Sequence, residues 1–300
     1  MFRKLVPALV APLLLTASCA TEADDAALRV YAGPEAVATV RALPEAVAAA
    51  GTSAFEMVMD FSLDGESFQL LASGVSDPEA QRMSIEVHLG DLFAQLAAGS
   101  GEALPEGFDG PMQLVADGST FYLRAPILEM IAGGSGWLSM SAEDLGSTAD
   151  GLGVGAYDPA TILEALRGVT GEPTVVGPEV VRGVDTTRYT ANLDLAEAIA
   201  SAPESQRERL EAQLEQLGSL DGTAVPVDVW IDGDGLPRRV QMDMAQMFAA
   251  LGAGDDAVAT MTMELFAFGD PVEIEVPSPD EVTPFTDVMG GLGTFGLAGS

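Results

Sequence analysis

The stretch Ser53-Ala54-Phe55-Glu56-Met57-Val58-Met59-Asp60-Phe61-Ser62-Leu63 decides the fold class, because its side chains alternate between apolar and polar. From Phe55 onward one side of the alternation is apolar, with Phe55, Met57, Met59, Phe61 and Leu63. The other side is mostly polar, with Glu56, Asp60 and Ser62. A period of two over this length predicts a long β-strand with one face buried in a core.

The same alternation continues along the chain. After a turn at Asp64-Gly65 it recurs in Phe68, Leu70 and Ala72, and after 76–78 it recurs in Met83, Ile85, Val87 and Leu89. Turn residues between consecutive strands predict an antiparallel meander. Further strands are predicted at 113–116, 120–124, 180–192, 225–231, 238–244 and 257–268.

Helices are predicted between the strands. Asp158 is a candidate N-cap, Pro159 suits the first helical position and Gly168 lies near the end, so we expect a helix over 158–169. A second helix is predicted over 193–217, and apolar segments lie at 92–98 and 127–131. The fold class is therefore α+β, a mostly antiparallel sheet with helices.

The domain organisation follows from composition. Residues 51–285 are expected to form a single domain, because no stretch rich in Pro, Ser or Gly divides them. Residues 19–50 are acidic and are expected to be part tether and part helix. Residues 286–300 are a Gly-rich tail that we expect to be disordered.

The N-terminus has the pattern of an export signal. Met1-Phe2-Arg3-Lys4 is cationic, and the apolar run that follows is only about a dozen residues, too short to span a bilayer. Leu15-Thr16-Ala17-Ser18-Cys19 resembles the lipobox of bacterial lipoproteins, although Thr16 stands where the family usually has Leu, Val or Ile. The resemblance implies that 1–18 is a signal peptide and that Cys19 carries acyl chains, which anchor the protein at the extracytoplasmic face of the cell membrane. The alternative is an ordinary secretory signal that leaves Cys19 as a free thiol.

Charge limits the range of partners. The chain has 13 basic and 46 acidic residues, a formal net charge of −33. Such a protein is repelled by a phosphate backbone, so nucleic acid is excluded as a partner. Electrostatic adhesion to anionic lipid is disfavoured for the same reason. At 48% hydrophobic residues, the chain can nevertheless bury a core.

The sequence offers no catalytic or metal-binding constellation. His88 is the only histidine and falls on the polar side of its strand, where an exposed surface histidine is the expected role. A zinc site of His and Cys cannot be completed with one residue of each type. Asp232-Gly233-Asp234-Gly235 does not keep the calcium-loop register, so it predicts a tight turn. We expect neither an enzyme nor a cofactor.

Three motifs carry a family resemblance. Val184-Asp185-Thr186-Thr187-Arg188-Tyr189, then Val227-Asp228-Val229-Trp230-Ile231-Asp232 running into Gly235-Leu236-Pro237-Arg238-Arg239, and the closing 270–277, resemble the actinobacterial LppX/LprG family of cell-envelope lipoproteins. The likeness covers roughly residues 50–285. It implies a curved antiparallel half-barrel whose concave face is covered by helices, with an apolar cavity between the layers. It also implies a lipid or acylated glycolipid as ligand, and an envelope transporter as a candidate partner.

The residues themselves are compatible with such a cavity. Many of the 13 methionines fall on the apolar side of strands, where they form either an adaptable pocket wall or a plain core. The candidate pocket residues are Phe55, Met57, Met59, Phe61, Phe68, Leu70, Ile85, Val87, Phe121, Val229, Met242, Met261 and Met263. Two functional hypotheses remain: a lipid carrier, or an envelope scaffold or sensor that binds a protein through its acidic surface.

Overall fold

A computed structural model of the chain describes residues 30–63, 66–90, 110–126, 136–141, 159–201, 207, 224–249 and 258–288. The signal peptide, Cys19 and the predicted apolar segments at 92–98 and 127–131 lie outside these ranges. Among the described residues, no helix is long and apolar enough to cross a membrane.

One sheet of twelve strands organises the described chain, in the order β12-β6-β5-β4-β3-β2-β1-β11-β10-β9-β8-β7. All neighbours pair in the antiparallel sense except β12 and β6, which are parallel. The sheet is open, and its edges are β12 and β7. The strands are β1 (Ser53–Leu63), β2 (Glu66–Asp77), β3 (Arg82–His88), β4 (Met112–Asp117), β5 (Thr120–Arg124), β6 (Trp137–Ser141), β7 (Val169–Val181), β8 (Val184–Asp194), β9 (Ala224–Asp232), β10 (Pro237–Asp243), β11 (Val258–Phe266) and β12 (Val282–Pro284).

Short helices accompany the sheet. They are α1 (Pro34–Arg41), α2 (Leu43–Ala50), α3 (Pro159–Ala165), α4 (Leu195–Ser201) and α5 (Ala245–Phe248), with 3-10 turns at Leu166–Gly168 and Pro279–Glu281. Ala36, Val40 and Leu43 of α1 and α2 are buried in the same cluster as strand residues such as Met57. Helices therefore cover one face of the sheet, and the predicted α+β class is confirmed.

Polar contacts attach these helices to the sheet edge. The Arg41 guanidinium donates two hydrogen bonds to the Val169 carbonyl oxygen, at 3.0 and 2.7 Å. Arg167, in the first 3-10 turn, donates to Glu45 of α2 at 2.5 Å and to Glu164 of α3 at 2.5 Å. Side chains from α1, α2, α3 and the first 3-10 turn thus join the helices to one another and to β7.

Several boundaries differ from the sequence prediction. Residues 34–50 are helical and packed in the core, so the folded domain begins before the boundary we placed at 51. β6, residues 169–179 of β7 and β12 were not predicted, because they are short, edge-located or interrupted by prolines. Of the predicted helix over 193–217, 195–201 is helical and residue 207 is assigned to a helix, while the other residues after 201 lie outside the described chain. Residues 285–288 are helical, so the described structure extends into the segment predicted as a tail.

The two ends of the sheet differ. Turns at 78–81, 118–119, 182–183 and 233–236 join strands at one end, which we call the short-turn end. The connections 89–111, 125–136, 195–223 and 244–257 all leave from the opposite end, the long-connection end. Because antiparallel strands alternate in direction, this asymmetry places every longer insertion between paired strands at the same end of the sheet.

Gly74 makes room for the central aromatic residue of the core. It pairs with Phe55 across β1 and β2, and a Cβ at Gly74 would lie 2.7 Å from the Phe55 ring and 2.2 Å from the Ser84 carbonyl oxygen. Neither the buried ring nor a strand backbone can retreat cheaply, because both are held by pairing on two sides. Glycine at this position is therefore required by packing.

We expect Gly74→Ala to lower the free energy of unfolding by about 1–3 kcal/mol, because the added methyl overpacks the β1–β2 interface. Urea unfolding followed by circular dichroism measures the change. Ser73→Ala, on the adjacent outward position, is the matched control and should leave the midpoint nearly unchanged. Equal midpoints for the two variants would contradict the packing role of Gly74.

Candidate functional site

The apolar residues of the strands form one continuous surface, which we call the inner face. Residues paired directly across antiparallel strands lie on the same side of a sheet. One row of such pairs runs without interruption from β8 to β4 through Tyr189, Val229, Val240, Met263, Met57, Ala72, Val87 and Met112. A second row, one pleat along, runs through Ala191, Val227, Met242, Met261, Met59 and Leu70.

The structure brings every candidate pocket residue to this face. Phe55 and Ile85 both pair with Gly74, while Phe61 pairs with Phe68. Phe121 joins the same face through its pairing with Ala116, which pairs in turn with Met83. Whether these side chains line a cavity or only a core remains a prediction. The sequence pattern therefore identified one face of the sheet.

Burial divides this surface into two regions. Met57, Met263 and Val229, near its middle, are at most 1% exposed. Phe61, Phe68 and Phe121 are half-buried and lie toward its margins. The Phe61 ring stacks on Phe68 at 5.2 Å between centroids and meets Phe248 of α5 at 5.5 Å, tilted. Three aromatic rings thus gather at the long-connection end of the inner face.

A polar group interrupts the inner face at β8. The Tyr189 hydroxyl accepts a hydrogen bond from the Tyr31 backbone N–H at 2.9 Å. Burial raises the pKa of Tyr189 above its ordinary value, and the Tyr31 N–H only partly opposes this effect. Tyr189 therefore stays a neutral phenol and fixes the chain just before α1.

The opposite side of the sheet, the outer face, carries a network of arginines around Trp230. Arg188 and Arg239 flank Trp230 on the neighbouring strands, with guanidinium carbons 4.9 and 5.2 Å from the ring centroid. The Trp230 Nε1–H donates to Glu179 at 2.7 Å. Such stacking and ion pairing occupy both the flat faces and the edges of the guanidinium groups.

Glu264 links this network to the centre of the sheet. Its carboxylate accepts from Arg239 at 2.5 Å and from Arg182 at 2.6 Å, and Arg182 also contacts Glu56. Burial alone raises the pKa of Glu264, but the hydrogen bonds from Arg239 and Arg182 outweigh it, so the pKa lies below its ordinary value. This network was not predicted from the sequence, although the alternation places Arg188, Trp230 and Arg239 on the outward side of their strands.

Asp232 explains the acidic turn. Its carboxylate is 3% exposed and accepts from the backbone N–H groups of Asp234 and Leu236, both at 2.9 Å, and from Arg238 at 2.6 Å. These donors occupy the oxygens that a calcium ion would need. The predicted tight turn at 232–235 is therefore confirmed.

His88 lies where the alternation placed it. Its side chain is 50% exposed, and its Nε2 is 3.0 Å from a Glu86 oxygen on the same strand. An exposed histidine beside a carboxylate is a surface feature with no buried reaction partner in this arrangement.

Two grooves with walls of described residues lie on the outer face. The larger, of about 560 Å³, lies between the β3–β6 part of the sheet and residues 273–281, with Glu86, Arg124 and Trp137 in its wall. Of the candidate pocket residues, Ile85 contributes to this wall. The smaller, of about 250 Å³, lies over β8–β11 beside Asp228 and Asp243.

Comparisons with known proteins give one curated relative. No protein-family model matches the chain. An uncharacterized 31.2 kDa protein from the rplA–rplJ intergenic region of Streptomyces griseus is 30% identical over 200 residues. The match covers 63% of this chain and 62% of the relative, so it spans less than two thirds of that protein's length.

Solved structures resemble the chain at low identity. Lipoprotein LppX from Mycobacterium tuberculosis is 16% identical with a TM-score of 0.45, over 81% of this chain and 99% of LppX. LprF from Mycobacterium bovis is 15% identical with a TM-score of 0.46, over 83% and 100%. A LolA superfamily protein from Nitrosomonas europaea is 6% identical with a TM-score of 0.28, over 81% and 94%.

We expect Glu264→Gln to destabilise the protein at neutral pH by about 1–2 kcal/mol, because two arginines lose their charged partner at a partly exposed site. Since the folded-state pKa is lowered, the stabilisation is fully present above the unfolded pKa of about 4.3 and is lost as the pH falls through the folded pKa. Urea unfolding at a series of pH values should show the two proteins converging in acid. Glu275→Gln, an exposed carboxylate, is the control; a pH-independent difference would contradict this account.

Proposed function

We propose that the chain is an exported, lipid-anchored envelope protein that binds a lipid or acylated glycolipid and helps to carry it across the cell envelope. The acyl chain lies between the inner face and the helical layer. The observation that carries the proposal is the unbroken apolar row from Val229 in β9 to Met112 in β4, whose centre is built from Met57 and Met263.

The chemistry of this row suits an acyl chain. An acyl chain has no hydrogen-bonding groups. When it moves from water to a wall without polar side chains, it therefore loses no hydrogen bond. Methionine adapts its shape through unbranched, rotatable bonds, and Met57, Met59, Met261 and Met263 pair with one another across β1 and β11. The motif resemblance to lipid-binding envelope lipoproteins supports the same ligand class.

A second candidate function has its own support. On the outer face Arg182, Arg188 and Arg239 each form ion pairs with carboxylates. The chain has 46 acidic and 13 basic residues, so its carboxylates far outnumber the basic groups available for ion pairs, and its net charge is −33. A scaffold or sensor that binds a cationic protein would use this surface.

Phe121→Gln and Tyr122→Gln separate the two candidates. These neighbours in β5 are both half-buried but lie on opposite faces, since Phe121 pairs with Met140 and Tyr122 pairs with Ser139. We expect Phe121→Gln to lower the amount of co-purified lipid by about tenfold, because a buried amide without partners disfavours an acyl chain. Tyr122→Gln should leave the lipid content unchanged. Lipid extraction and mass spectrometry give the readout, and circular dichroism confirms that both variants fold.

Absence of lipid from the wild-type protein, together with no uptake from vesicles, would reject the carrier function and favour the scaffold. Loss of lipid in both variants would contradict the assignment of the inner face as the binding surface.

The anchor is tested separately by Cys19→Ala. Two or three acyl chains, at about 0.8 kcal/mol for each buried methylene, hold a protein firmly on a bilayer. We expect the wild-type protein in the membrane fraction and Cys19→Ala in the soluble extracytoplasmic fraction. Ser18→Ala, which keeps the thiol, is the control. A membrane-bound Cys19→Ala protein would contradict lipidation at this residue.

A further inference from the structure

β12 closes one edge of the sheet through a short contact. It pairs with β6 over three residues, Val282 to Pro284, whereas β1 pairs with β2 along its whole length. Parallel pairing is also slightly less stable per residue than antiparallel pairing. Among the described strands, β12 is therefore held by the fewest and weakest pairings.

The segment that leads into β12 is fastened at its two ends. At its start, the Thr52 hydroxyl donates to the Asp270 carbonyl oxygen at 2.6 Å, and the Gly269 N–H donates to the Thr52 carbonyl oxygen at 2.8 Å. Near its end, Ser278 and Glu281 form a capping box around the second 3-10 turn. Both sets of hydrogen bonds are local to the ends of the segment. Between them, within the described chain, the segment is held only by contacts of its side chains.

The middle of this segment, residues 271–277, spans the outer face. Within the described part of the chain, no hydrogen bond joins these residues to the sheet. The groove of about 560 Å³ separates them from the outward side chains of β3 to β6. The segment can therefore move outward without breaking backbone pairing along this stretch.

Phe285 connects this segment to the inner face. It follows β12 directly, is half-buried and packs against the main apolar cluster. On β6 that cluster includes Met140, which is 2% exposed. When β12 leaves β6, Phe285 must leave with it, and the inner face is uncovered at this edge.

The other edge of the sheet is secured differently. β7 pairs with β8 from Val169 to Val181, and the Val169 carbonyl oxygen also accepts two hydrogen bonds from Arg41 of α1. Pro173 and Pro178 lie within β7, where they withhold backbone donors from any added strand. Opening β7 would therefore disrupt both the sheet and the helical layer.

We propose that residues 271–285 form a latch whose release from β6 admits an acyl chain to the inner face at that edge. The latch rests on the proposed lipid-binding function and adds the route by which the ligand reaches its site. Phe285 is the side chain that the entering acyl chain replaces.

A reversible cross-link tests the latch. Pro284 pairs with Ser139, and paired strands lie about 5 Å apart, within the range that a disulfide requires. Pro284→Cys with Ser139→Cys is made in the full chain carrying Cys19→Ser, so that no third thiol is present. Val58→Cys with Leu71→Cys, a pair inside the sheet on the same outer face and outside the groove, is the matched control.

Uptake of a pyrene-labelled phospholipid from phosphatidylcholine vesicles is measured before and after reduction. We expect the oxidised latch variant to load about tenfold more slowly than its reduced form, and the control pair to show no redox effect. Unchanged loading by a fully cross-linked latch would overturn the proposal. If the parent protein takes up no lipid under oxidising or reducing conditions, the result contradicts the proposed lipid-binding function and therefore also the proposed entry route.

Hydrogen exchange tests the opening without any ligand. Amides of 137–139 and 282–283 should exchange about a hundredfold faster than those of β4 and β5. Phe285→Ala should accelerate both this exchange and lipid loading, whereas the exposed neighbour Thr286→Ala should change neither. Protection at the β6–β12 pairing equal to that of β4 and β5 would overturn the latch, whatever the result for lipid uptake.

Discussion

Side chains that pair across antiparallel strands point to the same side of a sheet, and in this protein that pairing is unbroken from Tyr189 in β8 to Met112 in β4. A slip of one residue in any strand would turn its apolar set outward. The inner face exists only because every register is kept. The helices, the outer network and the latch all depend on where that face ends.

The outer face is exposed to water, and its side-chain contacts stabilise the same strand registers as the inner face. Trp230 is buried between Arg188 and Arg239, and its indole N–H is satisfied by Glu179. These residues sit on adjacent strands, so their contacts form only in one register. Arg188 and Arg239 are therefore placed where they hold neighbouring strands together.

The sequence predicted the sheet because alternation is a local signal: the positions of Phe55, Met57 and Met59 alone indicate which side of β1 is buried. It also predicted the turn at Asp232 and the exposure of His88. It could not predict β6 and β12, whose pairing joins residues far apart in the chain, or the packing of α1, whose short apolar pattern resembles that of a tether. The Trp230 network brings together side chains from four strands, β7 to β10, and no single segment of the sequence encodes that contact.

The edge strands of an open sheet expose unpaired backbone N–H and C=O groups, and the two edges of this sheet are protected in different ways. β7 is long, contains prolines and is fastened to α1, so it resists both opening and the addition of a strand. β6 is covered by three residues of a segment that spans the outer face and then places Phe285 against the core. A ligand that binds the inner face could pass the helical layer, an edge or an end of the sheet, and the described contacts allow the helical layer and the two edges to be compared. Because the helical layer is cross-linked by Arg41 and Arg167, the β6 edge is the passage that disturbs the fewest described contacts.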